Sequence, residues 1–473
     1  MPPIIYPESL IKYGNTIYAL ARVETEKFLG VQGNSDGLQG LAFQQEDARY
    51  FPLSAHNAAE LRQRLPWLVP QPLALNTSMG LGDRLGLATP GHIQAVRNTQ
   101  IAPIFAQQSV RENARTGRTP QQVLDDAMWG VLQCGWREAW GADADHLKTT
   151  QDIAPFVRAG YTFFTVDPGE HVRDLAPNVP LSEIEANVTA LPWDILQDSF
   201  ENMRARYLEK TFAFEGVRVQ FTAESILRAC EKYGRAVAHA VVMFQEIARQ
   251  KNGELFDFEV SVDETETPTS LAEHFYIANE LQRLNVRVTS LAPRFIGRFE
   301  KGVDYIGDLD ALAKNLDQHA AVARQFSYKL SLHSGSDKLS VYPLFANCTR
   351  GVAHVKTAGT SYLEALRTIA AVNPKLFREI LTLAREKYPT DRATYHVSAD
   401  LARVRESSAL SDVELPALLN EFDAREVLHV TFGSVIQQFG SDIHFTLRAY
   451  EAEYAAALQT HFAKHLAAFA PKY

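Results

Sequence analysis

The sequence has few cysteines and no long apolar segment. Cys134, Cys230 and Cys348 are an odd number at wide spacing and form no Cys-x-x-Cys pair. This pattern excludes a disulfide framework and a zinc knuckle, and it favours a reducing compartment. No run of about 18 apolar residues occurs, and the N-terminus lacks the basic and apolar segments of a signal peptide. We therefore expect a cytoplasmic protein that does not enter a membrane.

The chain also lacks a basic run. Its formal net charge is -9 at pH 7, which argues against a nucleic-acid-binding surface. With 473 residues, 46% of them hydrophobic and 22% charged, the chain has an ordinary globular composition and can bury a large core. This composition and charge are compatible with a small-molecule substrate.

The predicted secondary structure changes near residue 70. Residues 16 to 51 read as short strands broken by Gly, Asn and Asp turns. From Leu73 onward, short apolar strands alternate with long helical stretches. We predict an N-terminal β-rich extension over residues 1–65 and a catalytic domain over residues 66–473.

The second part contains eight candidate strands. They are Leu73–Ser78, Ile101–Gln107, Tyr161–Asp167, Phe256–Asp263, Val286–Leu291, Tyr328–His333, Val352–Thr357 and Val427–Phe432. Helical segments follow nearly all of them, and an insertion of roughly residues 172–222 follows the third. Alternating strands and helices predict a parallel sheet, and eight such units predict a closed (β/α)8 TIM-type barrel of the α/β class.

An open, doubly wound sheet is the alternative architecture. Its dinucleotide-binding loop would be residues 80–86, with the sequence Gly-Leu-Gly-Asp-Arg-Leu-Gly. The third glycine is misplaced, and no acidic residue ends a second strand about twenty residues later. The barrel is therefore favoured.

Polar side chains gather at the predicted strand ends, where barrel enzymes carry their active sites. Leu330 and Leu332 alternate with Ser331 and His333, so that one face of this strand is polar. The candidate substrate-binding residues are Asp83, Arg84, Gln107, Gln108, Asp263, Arg294, Asp337, Lys338, Lys356 and Thr360. Together they predict a polar cup at one end of the barrel.

Three histidines on different strand ends could bind a divalent metal. They are His171, His333 and His354. Neutral imidazole is a good ligand for zinc, manganese, cobalt or nickel, and three protein ligands leave positions open for a substrate. Each could instead be a hydrogen-bonded barrel histidine, and His429 is an alternative, above all to His354.

Carboxylates near these histidines are candidates for proton transfer, which needs an acid and a base. Glu170 adjoins His171, and a cation bound there would favour its ionised form. Asp263, Glu264 and Glu266 form a second acidic group. We expect at least one of these acids to be structural, because residues 267–270 have the pattern of a helix cap.

Four cations could meet a carboxylate or a carbonyl of a substrate. Lys338 and Lys356 could orient such groups, and Lys356 could form a Schiff base if burial lowered its pKa. Arg84 and Arg294 are candidate carboxylate clamps. A salt bridge at the barrel rim explains each arginine equally well.

Long motifs in the chain resemble the tagaturonate/fructuronate epimerase family. They are residues 82–86, 105–112, 261–269, 333–338, 354–365 and 429–435. The resemblance extends from about Leu73 to the C-terminus. It implies a divalent-metal-dependent barrel that interconverts two keto-hexuronates or, in some members, fructose and tagatose.

The resemblance also implies roles for particular residues. It puts the family's acidic–His pair on Glu170 and His171, and its two later histidines on His333 and His354. Its second acid falls on Glu266 in preference to Asp263 or Glu264. The implied partner is a small keto-sugar or keto-hexuronate, and the sequence is compatible with a homo-oligomer.

The implied reaction inverts a carbinol carbon β to a ketone, whose C–H is not acidic enough for simple enolisation. A retro-aldol cleavage followed by re-addition is the preferred route, and direct proton transfer between two opposed acids is the other. A metal-dependent ketose isomerase or class II aldolase is the main alternative function. A non-catalytic sugar-binding barrel is a further one.

Overall fold

The structure is a computed structural model that describes residues 2–174 and 178–469. None of its helices, over these residues, is long and apolar enough to cross a membrane.

An antiparallel sheet occupies the N-terminal part of the chain. Its strands are β1 (Ile4–Ile5), β2 (Ile11–Tyr13), β3 (Thr16–Val23), β4 (Glu26–Gln32), β5 (Phe43–Gln45) and β6 (Ala48–Pro52). They pair in the order β1-β3-β4-β6-β5, with β2 also on β3. Leu20 and Leu29 lie opposite each other on one face and are fully buried, as the alternation of strand side chains requires. The division of the chain at residue 65 stays a prediction.

Eight parallel strands form a closed barrel. They are β7 (Ser78–Leu81), β8 (Ala102–Ser109), β9 (Gly141–Leu147), β10 (Phe163–Val166) and, after the hairpin of β11 (Thr211–Phe214) and β12 (Val217–Gln220), β13 (Asp257–Val262), β14 (Ser290–Pro293), β15 (Lys329–Leu332) and β16 (Ala353–Thr357). β16 pairs with β7 and β9 pairs with β10, which closes the ring. The predicted (β/α)8 barrel is confirmed.

Helices surround the barrel. They are α1 (Ala55–Arg64), α2 (Thr89–Val96), α3 (Val110–Thr116), α4 (Pro120–Gln133), α5 (Ile153–Ala159), α6 (Leu181–Thr189), α7 (Phe200–Tyr207), α8 (Ala223–Lys251), α9 (Leu271–Arg283), α10 (Leu309–Gln325), α11 (Tyr342–Thr349), α12 (Thr360–Val372), α13 (Pro374–Asp391), α14 (Phe422–Val430), α15 (Phe432–Ala449) and α16 (Glu451–Leu466). Ser270 caps α9 in a reciprocal capping box with Glu273, as the predicted cap at residues 267–270 requires.

One predicted strand is wrong and one barrel strand was missed. Residues 427–432 are helical, because α14 ends at Val430 and α15 begins at Phe432. The missing strand is β9, whose alternating alanines and aspartates have little of the β-branched character that marks most strands. As a consequence, the long insertion follows the fourth strand of the barrel instead of the third.

Truncation of a barrel residue that faces the surrounding helices should measure how much the packing between strands and helices stabilises the fold. Leu330 is fully buried between the barrel and its helices, so Leu330→Ala should lower the free energy of unfolding by about 3 kcal/mol through the cavity it leaves. Leu255→Ala is the control, because Leu255 is 72% exposed. Denaturant unfolding of both variants measures the difference. Equal effects would contradict this account of the core.

Candidate active site

Lys356 lies inside the mouth of the barrel among three buried carboxylates. Its Nζ is 2.8 Å from Asp143 Oδ2, 2.7 Å from Asp145 Oδ1 and 2.9 Å from Glu259 Oε1. Burial alone would lower the pKa of Lys356, but the carboxylates raise it above its ordinary value. The amine is therefore a permanent ammonium ion, which is unsuited to Schiff-base chemistry.

Strand periodicity explains how β9 supplies two of these carboxylates. Asp143 and Asp145 alternate with Ala142 and Ala144, so that the acids point into the barrel and the alanines point toward the helices. All four are buried. His146, the last residue but one of the strand, has a left-handed φ of 55°, a conformation that costs on the order of 1 kcal/mol for a non-glycine residue.

Two histidines at this mouth each have one ring nitrogen held by a carboxylate of the Lys356 cluster. His146 Nδ1 is 2.7 Å from Asp145 Oδ1, and His333 Nε2 is 2.7 Å from Glu259 Oε1. A carboxylate on one nitrogen fixes the tautomer and the ring direction, and it increases the basicity of the other nitrogen. The other ring nitrogens are Nε2 of His146 and Nδ1 of His333, and the latter lies 3.1 Å from Ser261 Oγ.

Asp263 completes a group that could hold a metal ion. Its Oδ1 is 3.2 Å from Nδ1 of His333, and ligand atoms of His146, Asp263 and His333 all lie within 4.8 Å of one another. A second group joins His146 to Asp167 and Glu264. Two imidazoles and a carboxylate are a donor set suited to zinc, manganese, cobalt or nickel.

The electrostatic field at this group favours positive charge. Burial alone would lower the pKa of His146, but Asp145 and other nearby carboxylates raise it to about 10. Burial alone would raise the pKa of Asp263, but His333 and His146 lower it overall. Carboxylates that stabilise protons on histidines would also stabilise a divalent cation in their place.

Two adjoining chambers open above the candidate metal ligands. The inner chamber is lined by residues that include Arg84, Gln107, Arg111, His146 and Lys356. The outer chamber is lined by residues that include Arg294, Phe295, Arg298 and Phe299. The two share the residues Asp263, Glu264, Lys301, His333, Ser334 and Tyr395. A small polar molecule in this space would contact the metal-capable group and several charged side chains together.

The predicted metal ligands His171, His333 and His354 are not brought together. His171 is exposed, and its ring stacks on His239 with 4.1 Å between centroids. His354 pairs in register with Ser331, which precedes His333 by two residues. His354 therefore lies about 7 Å deeper in the barrel than His333. Among the described residues, no metal-capable group includes His171 or His354. The geometry therefore favours His146, Asp263 and His333 as the candidate ligand set.

The two predicted catalytic acids lie on the surface. The Glu170 side chain is 75% exposed, and its Oε1 is 3.1 Å from Lys148 Nζ. Glu266 is exposed, and neither acid lines the chambers described above. Its neighbours Asp263 and Glu264 do line them, so the geometry favours these two acids over Glu266 as candidates for proton transfer.

Half of the predicted substrate-binding residues line the chambers. Arg84, Gln107, Asp263 and Lys356 line the inner chamber, and Arg294 lines the outer one. Gln107 donates a hydrogen bond of 2.8 Å to Asp145 Oδ2.

The other predicted substrate-binding residues are occupied within the protein. Asp83 accepts hydrogen bonds from the backbone N–H groups of residues 85, 86 and 88, and Gln108 is fully buried. Asp337 is 2.7 Å from Arg425 Nη2, and Thr360 Oγ1 lies 3.5 Å from the same carboxylate. The Lys338 ammonium donates to backbone carbonyls. These groups stabilise the loops around the site.

Sequence reasoning missed five residues that form close hydrogen bonds or ion pairs at the site. They are Asp143, Asp145, His146, Glu259 and Lys301. The signal that could have revealed the first three is the alternation Ala-Asp-Ala-Asp-His at 142–146, because acids at every second position are unusual on a buried strand.

Comparison with known proteins gives consistent similarities over the whole chain. A family model described as UxaE, tagaturonate epimerase, matches residues 6–469. The tagaturonate/fructuronate epimerase of Thermotoga maritima is 43% identical over 471 residues, which cover 98% of this chain and 96% of that relative.

Solved structures give the same similarity. Fructuronate-tagaturonate epimerase UxaE from Cohnella laeviribosi, in its native form and complexed with one glycerol, has a TM-score of 0.94 to this chain in both cases. The identities are 39% and 40%, and each comparison covers 99% of this chain and 96% of the other.

Removal of the central ammonium ion should destabilise the barrel in a pH-dependent way. Lys356→Met leaves Asp143, Asp145 and Glu259 without their cation, which should cost about 3–5 kcal/mol at neutral pH. Burial raises the pKa of Asp143 to about 7 even beside Lys356. An acid whose pKa is raised in the folded state makes the folded protein less stable as the pH increases. The free energy of unfolding of the variant should therefore fall more near pH 8.5 than near pH 5.5.

Denaturant unfolding at both pH values measures this effect. Lys387→Met is the control, because Lys387 lies on the surface beside Glu386 and should not alter stability measurably. A Lys356→Met protein with unchanged stability at both pH values would contradict the role assigned to this ammonium ion.

Proposed function

We propose that this chain, which belongs to the tagaturonate epimerase family and is an isomerase, interconverts D-tagaturonate and D-fructuronate with the help of a divalent metal ion. The observation that carries the proposal is the pair His146 and His333, each oriented by a buried carboxylate toward a shared position beside Asp263. The close similarity to named epimerases over the whole chain supports the substrate.

The donor set supports a metal ion held by His146, Asp263 and His333. The fit rests on histidine nitrogens that face one position while their other nitrogens are already hydrogen-bonded. A divalent cation bound there would supply Lewis acidity toward a ketone oxygen. Zinc, manganese, cobalt and nickel all suit these ligands.

We assign the proton transfer to Glu264. Its carboxylate lines both chambers and belongs to the second metal-capable group through His146. Burial alone would raise the pKa of Glu264, but Lys301 and His146 lower it overall, so the group is ionised and can accept a proton. This assignment replaces Glu170 and Glu266.

The retro-aldol route suits these groups. The Glu264 carboxylate removes the proton from the hydroxyl of the carbinol carbon, and the bond between that carbon and the α-carbon breaks. Its electrons pass to the α-carbon, which leaves an aldehyde and an enediolate. After the aldehyde turns its other face, the bond forms again and the alkoxide recovers its proton from Glu264. The step is redox-neutral, and no other co-reactant is needed.

The direct test is an assay of chelator-treated protein with and without added manganese or zinc. Tagaturonate and, separately, fructose are supplied, and the products are identified by chromatography. We expect fructuronate from tagaturonate only when metal is present. Absence of any epimer in folded, metal-loaded protein would overturn the proposal, and formation of cleaved products or an aldose would favour an aldolase or an isomerase.

Single substitutions should distinguish the ligand set proposed here from the set predicted from the sequence. His146→Ala and His333→Ala should each lose bound metal and nearly all epimerase activity, because one of three ligands is gone. His171→Ala should retain both, since His171 stacks on His239 at the surface. Metal content by mass spectrometry and initial rates measure the outcome. Loss of metal from His171→Ala alone would contradict the proposed ligand set.

Reaction in deuterated water should distinguish the two chemical routes. In the retro-aldol route, the inverted carbon keeps its own hydrogen, because that hydrogen stays on the aldehyde carbon throughout. In the two-base route, this carbon exchanges its hydrogen with solvent. NMR of the product should therefore show no deuterium at the inverted carbon, and one deuterium there per turnover would overturn the route proposed here.

A further inference from the structure

We infer that Arg111 and Lys301 form the subsite for the terminal carboxylate of the substrate and give this enzyme its preference for a uronate over a neutral hexulose. The inference rests on the proposed function. It assigns a direct contact with the substrate to two cations of the inner chamber that the reaction described above does not bring into contact with it.

Arg84 and Lys356 also line the inner chamber, but the protein occupies both. Arg84 Nη2 is 2.7 Å from Glu112 Oε1, and the guanidinium packs 3.7 Å from the centroid of the Phe432 ring. Lys356 is enclosed by three carboxylates of the barrel. A substrate carboxylate could reach either cation only by displacing a buried ion pair, at a cost of several kcal/mol.

Lys338 and Arg294 are equally unavailable. Lys338 is fully buried, and its Nζ donates to backbone carbonyls that include Glu300 O at 2.7 Å. Arg294 donates to the backbone carbonyl of Thr265. Both side chains therefore stabilise loops at the mouth and do not face the inner chamber as free cations.

Arg111 and Lys301 are different because a single partly exposed carboxylate is their shared charged partner. Arg111 Nη2 is 3.6 Å and Lys301 Nζ is 3.7 Å from Oε1 of Glu264, and the Glu264 side chain is 32% exposed. Over the residues that the structure describes, Arg111 has no hydrogen bond, and its Nε is buried without a partner. A guanidinium with unused N–H donors is well suited to a carboxylate.

Both cations are held in place by neighbours that do not neutralise them. Lys301 Nζ donates a hydrogen bond of 2.8 Å to Ser334 Oγ, next to the candidate ligand His333. The Arg111 guanidinium lies 5.2 Å from the centroid of the Tyr395 ring, a distance that permits a cation–π contact. The pair is thus positioned before a substrate arrives, which reduces the entropy lost on binding.

The spacing of the groups matches the substrate. In an extended keto-hexuronate, the ketone carbon and the carboxylate carbon are about 5 Å apart, and the inverted carbinol carbon lies midway between them. The Glu264 carboxylate is near both ends of such a molecule, because it lies within 4.8 Å of a ring nitrogen of His146 and 3.6 and 3.7 Å from the two cations. A ketone beside the metal-capable group and a carboxylate at Arg111 and Lys301 would therefore bring the carbinol hydroxyl to Glu264.

The test compares Arg111→Gln, Lys301→Met and the charge-retaining Arg111→Lys with the unaltered enzyme. We expect the first two to raise KM for tagaturonate about tenfold or more, and Arg111→Lys to recover part of that loss. Binding of neutral tagatose should change less than about threefold. Arg249→Gln is the matched control, because Arg249 lies on the surface of α8, 2.6 Å from Glu246, lines neither chamber and should leave KM unchanged. Metal content and melting temperature establish that each variant is intact.

The outcomes separate this inference from the proposed function. Active wild-type enzyme with unchanged KM in both variants would overturn the carboxylate subsite and leave the epimerase proposal standing. Equal weakening of tagaturonate and tagatose would also overturn it. If the wild-type protein does not turn over tagaturonate, calorimetric binding of tagaturonate to the same variants decides the subsite. In that case weaker binding by the variants supports it, and unchanged or absent binding overturns it.

Discussion

The whole site depends on one buried ammonium ion. Lys356 is enclosed by Asp143, Asp145 and Glu259, and two of these acids also hold the histidines that face the chamber. Carboxylates this close together inside a barrel would repel one another or take up protons. Lys356 keeps Asp145 and Glu259 ionised, so that they can orient His146 and His333. A residue that contacts no candidate metal ligand directly therefore determines how the ligands point.

The fold could be predicted from the sequence because most of its elements carry strong local patterns. Five apolar strands were placed to within two residues at each end, whereas the first predicted strand, Leu73–Ser78, shares only Ser78 with β7. The confirmed family resemblance agrees with the barrel. The errors in the predicted strands fall on segments whose intrinsic strand propensity does not match the structure they adopt. Five of the seven residues of β9 are glycine, alanine or aspartate, because this strand carries acids into the barrel. Residues 427–432 have β-branched residues that are buried in helices instead.

The site could be predicted only in part, because spacing along a strand does not fix depth in a barrel. His333 and His354 both alternate inward, yet they differ by two residues in register, and only His333 reaches the mouth. Glu170 and His171 follow a barrel strand closely, but their short helical turn carries them to the surface. The acids and cations of the mouth were recognised as a class. Some of these charges are neutralised by other side chains of the protein. Which ones are neutralised depends on distances between side chains, and a sequence does not give those distances.

The central claim is that His146, Asp263 and His333 hold the divalent cation. Anomalous X-ray diffraction from crystals grown with manganese or zinc tests it most directly. The account predicts one strong anomalous peak within ligand distance of these three residues and none beside His171 or His354. A peak beside either of those histidines would contradict it. So would full occupancy at another metal-capable group of the described residues, formed by Asp337, His461 and His465.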